Sequence, residues 1–296
     1  MAENTRPPKR VAAIHDLSCF GRCALTVILP TLSALGAQVV PVPTALLSSH
    51  TGGFTDLYFR DLSDDMDEIA AHFDRLSLTF DAIYSGFLGS EAQIEKVEKL
   101  IDRFGGEGMP VVVDPVMGDD GTLYSTYTPE LMEGMKRLCH KADLITPNYT
   151  EACFLTGEPY VDTQGMDEEA VRALGERLLS ALSVYGAKQT VITGLPVGDK
   201  LLIFGRSENG SFCHEEVLLH AGYPGTGDLF ASTLLGLLLD GNCFENAVTG
   251  AAEITTIAIE KTLAAGTPVR DGVVLEHCMY ELFALRTNLK RIQYRS

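Results

Sequence analysis

Several things are scarce in this chain of 296 residues. No apolar run approaches the roughly 20 residues that a bilayer-spanning helix needs. Residues 1–10 are polar, where a secretory leader would carry an apolar stretch. Both absences predict a cytoplasmic protein without a membrane partner. Cations are few as well: 23 Lys and Arg stand against 40 Asp and Glu, a net charge of −17. A nucleic-acid backbone requires clustered Lys and Arg, so nucleic acid is excluded as a partner, and anionic membrane surfaces are disfavoured. A nucleotide is not excluded, because a divalent cation and a local anion hole override the global field. The seven cysteines form no regular framework and read as reduced thiols. Cys19 and Cys23 lie near His15, but no second pair with zinc spacing accompanies them, so buried structural thiols are the better reading. Repeats, low-complexity tracts and linkers rich in Pro, Gly or Ser are all missing, which predicts one domain over residues 1–296.

The most informative segment present is Tyr223-Pro224-Gly225-Thr226-Gly227-Asp228, followed at once by an apolar helical run. A helix start exposes unpaired N–H groups and the positive end of the helix dipole, and glycines let that backbone approach an anion closely. A carboxylate there would repel a phosphate, unless its task is to take a proton from a hydroxyl that attacks phosphorus. The pattern therefore points to phosphoryl transfer onto a small alcohol. The same residues also read as an ordinary glycine turn with Asp228 capping the helix.

Short apolar runs at residues 11–14, 39–42, 82–84, 111–113, 144–146 and 190–193 read as strands buried on both faces of a parallel sheet. Residues 65–76 place Met66, Ile69, Ala70, Phe73 and Leu76 on one helical stripe, residues 91–104 do the same with Ile94, Val97, Leu100, Ile101 and Phe104, and residues 166–185 give a third such pattern. Residues 201–204 and 217–219, on either side of Glu208-Asn209-Gly210, predict an antiparallel pair. Residues 229–239 are apolar all round and predict a central buried helix, with mostly helix thereafter. The alternation predicts an α/β three-layer sandwich around a central, mostly parallel, doubly wound sheet.

Ligands of such sheets bind beyond the carboxyl ends of the strands. Those ends carry Asp114-Pro115-Val116-Met117-Gly118-Asp119, Thr146-Pro147-Asn148-Tyr149-Thr150-Glu151, Thr193-Gly194, and Ser48-Ser49-His50-Thr51-Gly52-Gly53. Singly, Asp114 reads as a turn residue, Asn148 with Glu151 as a capping box, and Thr193-Gly194 as a strand end. Together they set two carboxylates beside the glycine loop, and such acids call for a cation. Mg²⁺, bound through water and triphosphate oxygens, suits them.

In these segments the chain resembles the ribokinase superfamily, and within it the vitamin B6 kinases. Asp114-Pro115-Val116-Met117-Gly118, Thr146-Pro147-Asn148 with Glu151, and Gly225-Thr226-Gly227-Asp228 carry the resemblance; Ser48-Ser49-His50-Thr51 and Tyr84-Ser85-Gly86-Phe87-Leu88-Gly89-Ser90 strengthen it. It runs from about Val11 to about Ala264. It implies a ribokinase-like fold and ATP-dependent phosphorylation of the 5′-hydroxymethyl group of a B6 vitamer. Asp228 then corresponds to the catalytic base, and Gly225, Thr226 and Gly227 to the anion hole. Asp114 and Glu151 correspond to the Mg²⁺ acids, and Asp119, Asn148, Thr193 and Gly194 to the nucleotide-phosphate side. Asp16, Ser49, His50, Thr51 and Phe87 fall around the pyridine substrate, residues 118–127 at the covering flap, and residues 252–269 at adenine. A homodimer is implied too, and a monovalent cation requirement stays open.

Two departures bear on substrate choice. Asp16 stands where many B6 kinases carry serine, and Phe87 where tyrosine is frequent. A carboxylate at Asp16 can pair with a protonated ring nitrogen or an amine. Hydroxymethylpyrimidine kinases usually have cysteine at the position of Asp228, so the carboxylate weighs against that substrate. Sugar and nucleoside kinases usually carry several polyol-binding carboxylates and asparagines early in the chain, and residues 14–24 are short on such groups. A non-enzymatic pyridoxal phosphate carrier would need a Schiff-base lysine, and these loops hold few lysines.

Overall fold

The computed structural model describes residues 7–293, so residues 1–6 of the polar N-terminus and 294–296 lie outside the described residues. In chain order the strands are β1 (Arg10–Phe20), β2 (Gln38–Ser49), β3 (Phe59–Asp61), β4 (Ala82–Ser85), β5 (Val111–Val113), β6 (Gly118–Asp119), β7 (Thr122–Leu123), β8 (Leu144–Ile145), β9 (Gln189–Val197), β10 (Lys200–Ser207) and β11 (Gly210–Val217). The helices are α1 (Leu25–Ala34), α2 (Ser63–Arg75), α3 (Glu91–Phe104), α4 (Pro129–Cys139), α5 (Tyr149–Thr156), α6 (Glu168–Ala181), α7 (Thr226–Leu239), α8 (Phe244–Ala265) and α9 (Met279–Gln293). Among them no helix is long and apolar enough to cross a membrane.

Nine strands make one sheet in the order β11-β10-β9-β8-β5-β4-β1-β2-β3, while β6 and β7 form a separate small hairpin. The six strands from β9 to β2 run parallel, with antiparallel strands at both edges. Successive side chains of a strand point to opposite faces, and β1 shows the consequence. Ala12 and Ile14 enter a core shared with Met66 of α2, Ile94 of α3, Met135 of α4 and Leu178 of α6. Val11 and Ala13 enter the other, with Ile28 of α1, Leu234 of α7, Val248 of α8 and Leu282 of α9. The α/β three-layer sandwich with a mostly parallel central sheet is therefore present.

Local chemistry explains where helices begin. The Ser90 hydroxyl accepts the Gln93 N–H at 3.3 Å and starts α3, an interaction typically worth about 1 kcal/mol. Thr128 caps α4, whose first residue is Pro129, a position that has no use for an N–H. The Asn148–Glu151 capping box is complete at α5. Helix α7 is buried from Leu229 through Leu237, as its all-round apolarity requires.

Several expectations need correction. The second strand of the antiparallel pair covers Gly210–Val217, so Leu218 and Leu219 lie beyond it. Its members alternate in exposure on an edge, and backbone pairing with β10 rather than apolar content holds them. Leu76 follows the last residue of α2 as its C-cap and is 59 % exposed rather than part of the stripe. The helix expected over residues 166–185 begins at Glu168, and its last turn tightens to a 3₁₀ turn over Leu182–Tyr185. Helix α1 has no counterpart in the apolar pattern, because Pro30 and the β-branched Thr26, Val27 and Ile28 obscure it. Strands β1 and β2, at 11 and 12 residues, run well past the short runs first read as strands, and so carry Asp16 and Ser49 within the sheet.

Candidate active site

Asp228 is the third residue of α7, and Gly225 is the residue before that helix. Gly225 has φ +87°, and a Cβ there would lie 2.4 Å from the Arg22 carbonyl oxygen, so only glycine permits this approach. The Leu229 N–H reaches the Gly225 carbonyl at 2.9 Å, while the Gly227 and Asp228 N–H groups find no acceptor among the described residues. They are the open donors of a helix start, with an exposed Gly227 and a half-buried Asp228 beside them. One Asp228 oxygen, Oδ2, accepts the Ala24 N–H at 2.8 Å.

Three further acids feel this carboxyl, directly or in relay. Burial pushes Asp16 up to about 6, with the Asp228 charge adding to the rise and the Ser18 hydroxyl, 2.8 Å from Oδ2, opposing it. Burial also pushes Asp114 up to about 7, again with Asp228 as the neighbouring charge. Glu151 is raised by burial and then by Asp114, against the backbone N–H groups of Asn148 and Met117, which its two oxygens accept at 2.8 and 3.0 Å. Asp228 itself is raised by burial, with the Ala24 N–H and the Cys23 thiol pulling the other way. Four carboxyls thus crowd the carboxyl ends of β1, β5 and β8 and the start of α7. Beside them His15 is buried against Tyr84 and pushed down to about 3 by that burial, so it contributes no counter-charge.

Among the described residues no group of three or more His, Cys, Asp and Glu could hold a metal unaided. Asp114 and Glu151 supply two carboxyls, and Mg²⁺ is an ion that keeps several waters and takes phosphate oxygens rather than a protein cage. Glu151 serves as a helix-capping side chain as well as an acid, so both readings of Asn148 and Glu151 are compatible.

The residues expected on the nucleotide side are tied together through the backbone. Thr193 donates its N–H to the Pro147 carbonyl at 2.9 Å and bridges to Asn148. Asn148 in turn donates from Nδ2 to the Gly118 carbonyl at 2.9 Å, and the Gly121 N–H donates to Thr150 Oγ1 at 2.9 Å. These bonds fasten the β6–β7 hairpin, with its exposed Asp119, to the start of α5. Gly194 follows in β9, half-buried. Of the residues expected around the substrate, Ser49 ends β2 opposite Phe20, and His50 follows it, buried. The His50 ring is committed within the chain: Nδ1 accepts the Gly52 N–H at 3.1 Å, which leaves Nε2–H to donate to the Arg270 carbonyl at 2.7 Å. Thr51 is exposed, and Phe87 is half-buried just beyond β4.

Three groups at this site escaped the sequence reading. Cys23 and Ala24 touch Asp228, and Tyr124 of the flap stretch is raised by burial and then by Glu151, Asp119 and Asp114. Only position within residues 118–127 marked Tyr124, Cys23 was weighed only with Cys19 and His15 as a metal site, and nothing in the pattern marked Ala24. A surface cavity of about 470 Å³ lies along the stretch expected for adenine, lined by Lys261, Ala264, Ala265 and His277. None of the four acids lines it.

Residues 13–271 match the phosphomethylpyrimidine kinase family. A pyridoxine/pyridoxal/pyridoxamine kinase of Bordetella avium is 30 % identical over 268 residues, 86 % of each chain. The crystal structure of a Bacteroides thetaiotaomicron protein assigned as a phosphomethylpyrimidine kinase, in a form with pyridoxal, is 38 % identical at a TM-score of 0.86, covering 93 % of this chain and 96 % of that one. Pyridoxal kinase from Lactobacillus plantarum superposes at a TM-score of 0.84 with 32 % identity, over 95 % of this chain and 98 % of its own.

Proposed function

The chain belongs to the phosphomethylpyrimidine kinase family, and from that premise we propose that it phosphorylates the 5′-hydroxymethyl group of a vitamin B6 vitamer with ATP. The observation that carries the reading is Asp228 itself: a carboxylate beside the open N–H groups of α7, one oxygen held by Ala24. The alcohol oxygen forms a bond to the γ-phosphorus as the bond to the β-bridging oxygen breaks. The electron pair of that bond leaves with ADP, and the alcohol proton passes to Asp228. The Gly227 and Asp228 N–H groups face charge that grows on the transferring phosphoryl oxygens. A preorganised donor of this kind is typically worth roughly 3–4 kcal/mol.

Asp114 and Glu151 are the residues that would hold Mg²⁺, largely through water. Bound there with the triphosphate, it would neutralise charge on the phosphate oxygens. The raised carboxyls support this role, since an added cation favours their ionised forms. Asp119, Asn148, Thr193 and Gly194 would line the phosphates. Asp16, Ser49, Thr51 and Phe87 would meet the ring, with His50 shaping the wall through its committed nitrogens. Asp16, raised to about 6, would be mostly ionised at neutral pH and would favour a protonated ring nitrogen or an amine.

The single nine-stranded sheet supports reading the chain as one ribokinase-like domain. Seven free cysteines support a cytoplasmic setting, and a homodimer follows from likeness to the B6 kinases alone. Pyrimidine phosphorylation is the second reading, carried by the family description; the carboxylate at position 228 and the pyridoxal kinases among the relatives weigh against it. A coupled ADP-release assay over pyridoxal, pyridoxine, pyridoxamine and hydroxymethylpyrimidine decides. Turnover of a B6 vitamer with hydroxymethylpyrimidine at least tenfold poorer is expected, and the reverse order overturns the proposal.

A further inference from the structure

Ala24 has φ +49° and ψ −130°, a backbone conformation that residues other than glycine rarely adopt. It is buried, and its two backbone groups do different work. The carbonyl accepts the Val27 and Ile28 N–H groups at 2.9 and 3.0 Å and so starts α1. The N–H turns the other way and meets Asp228 Oδ2 at 2.8 Å. Backbone forced into a rare conformation persists only where its surroundings over-determine it, and here they do. Upstream, the Cys23 N–H donates to Thr26 Oγ1 at 3.1 Å, and that hydroxyl donates back to the Cys23 carbonyl at 2.8 Å.

The stronger restraint comes from the far end of the chain. The Arg22 N–H donates to the Asp271 carbonyl at 3.0 Å, and Arg22 pairs in parallel with Gly272. One residue on, the Val273 N–H donates to the Pro224 carbonyl at 3.0 Å, immediately before Gly225. Residues 271–273 therefore join the strap at residues 22–24 to the loop that precedes α7. The Arg22 side chain reinforces the join: Nε donates to both Glu276 oxygens at 2.8 and 3.0 Å, and Nη1 to the Asp271 carbonyl at 3.2 Å. Gly272 is the tight point, because a Cβ there would lie 2.5 Å from the Arg22 carbonyl oxygen and 2.9 Å from its nitrogen.

We propose that residues 271–273 form a backbone brace that, through the N–H of Ala24, aims the Asp228 carboxyl, which makes Ala24 and Gly272 positioning residues for phosphoryl transfer. With Oδ2 held by the Ala24 N–H, the strap sets the direction in which the carboxyl faces as proton acceptor. The brace touches the strap and the phosphate loop at once, so base and anion hole keep their mutual register. A misplacement on the order of 1 Å at a reacting group typically lowers a rate about a hundredfold, which gives the brace its leverage.

This inference rests on the kinase reading above, and its test separates the two. Gly272→Ala pushes the strap away from residues 271–273 without altering any group at the site. It should lower kcat by roughly ten- to a hundredfold with KM for ATP and vitamer within about threefold. In an Asp228→Ala background the same change should cost nothing further, because the carboxyl it acts through is gone; a merely structural role would give equal losses in both backgrounds. Arg22→Ala, which removes a partly exposed ion pair, should lower kcat by about three- to tenfold in the wild-type background alone, and it decides the matter if Gly272→Ala does not fold. Unchanged kcat, or equal losses with and without Asp228, overturns the brace. A wild-type chain that turns over no B6 vitamer counts against the kinase reading, whereas an active wild type with equally active variants counts against the brace alone.

Discussion

Acidic residues are managed in opposite ways at two places in this molecule. Where α6 packs near β10 and β11, Glu168 meets Arg172 at 2.8 Å and Lys200 at 3.0 Å, and Glu215 meets Lys200 at 3.0 Å as well as Arg172. Both carboxyls are held below their usual range by these cations and their hydrogen bonds. At the carboxyl ends of the parallel strands, Asp16, Asp114, Glu151 and Asp228 are all pushed up by burial, and Asp16, Asp114 and Glu151 further by one another's or Asp228's charge. The first group forms an exposed network that screens itself in water. The second is an electrostatic debt held in the fold, of the kind that clusters at functional sites and that the proposed phosphoryl transfer would use.

The comparison breaks most decisively at Asp228. Asp228→Asn should lower kcat by about 10²–10⁴ while ATP affinity, followed by calorimetry, changes little; a near-normal kcat would remove the base. Next comes Asp114→Ala, which should raise the Mg²⁺ concentration for half-maximal activity at least about tenfold, since it removes one of the two carboxyls proposed to hold the ion. An unchanged Mg²⁺ titration would take Asp114 out of the site. The same variant relieves a buried charge, so the ligand-free protein should melt no lower than wild type.

Asp16→Ser sharpens the contrast in two measurements. Relative kcat/KM between pyridoxamine and pyridoxal should shift by about three- to tenfold, as expected for one charged hydrogen bond. The sign of the stability change also follows. An acid raised on folding holds its proton more tightly in the native state, so its contribution is present below about pH 4 and is lost as pH rises through about 6. That loss amounts to roughly 3 kcal/mol at neutral pH. Asp16→Ser should therefore raise Tm more at pH 7.5 than at pH 5, in ligand-free protein. A gain independent of pH would mean that Asp16 is not buried as an acid. The smallest effect belongs to the compensated network: Glu215→Ala should lower Tm by no more than about 2 °C, with kcat unchanged.

How much of this could be read in advance depended on whether the signal was local. Helix α3 was legible to the residue, because Ile94, Val97, Leu100 and Ile101 repeat with helical period. Helix α1 was not, since its apolar residues are nearly continuous and include Pro30. The buried helix after Asp228 stood out for its lack of any polar face, whereas β11, polar and alternating, gave no apolar run to find. Among site residues, Asp114, Glu151 and Asp228 could be named because each follows a strand or opens a helix. Ala24 could not, because it acts through its backbone alone, and Cys23, weighed only as a zinc-type ligand, gave no sign along the chain of its contact with Asp228.

The sequence by itself determined the alternation of strand and helix, the excess of acid, and the glycine-flanked carboxylate before an apolar helix, all of them properties of near neighbours along the chain. Only the tertiary structure decided that four acids spread over some 200 residues of sequence crowd one another, and that residues 271–273 bind residue 22 to residue 224. The reason is physical. Periodicity and helix capping are fixed within a few residues, whereas burial, like-charge crowding and backbone bridging arise only when distant segments meet and exclude water.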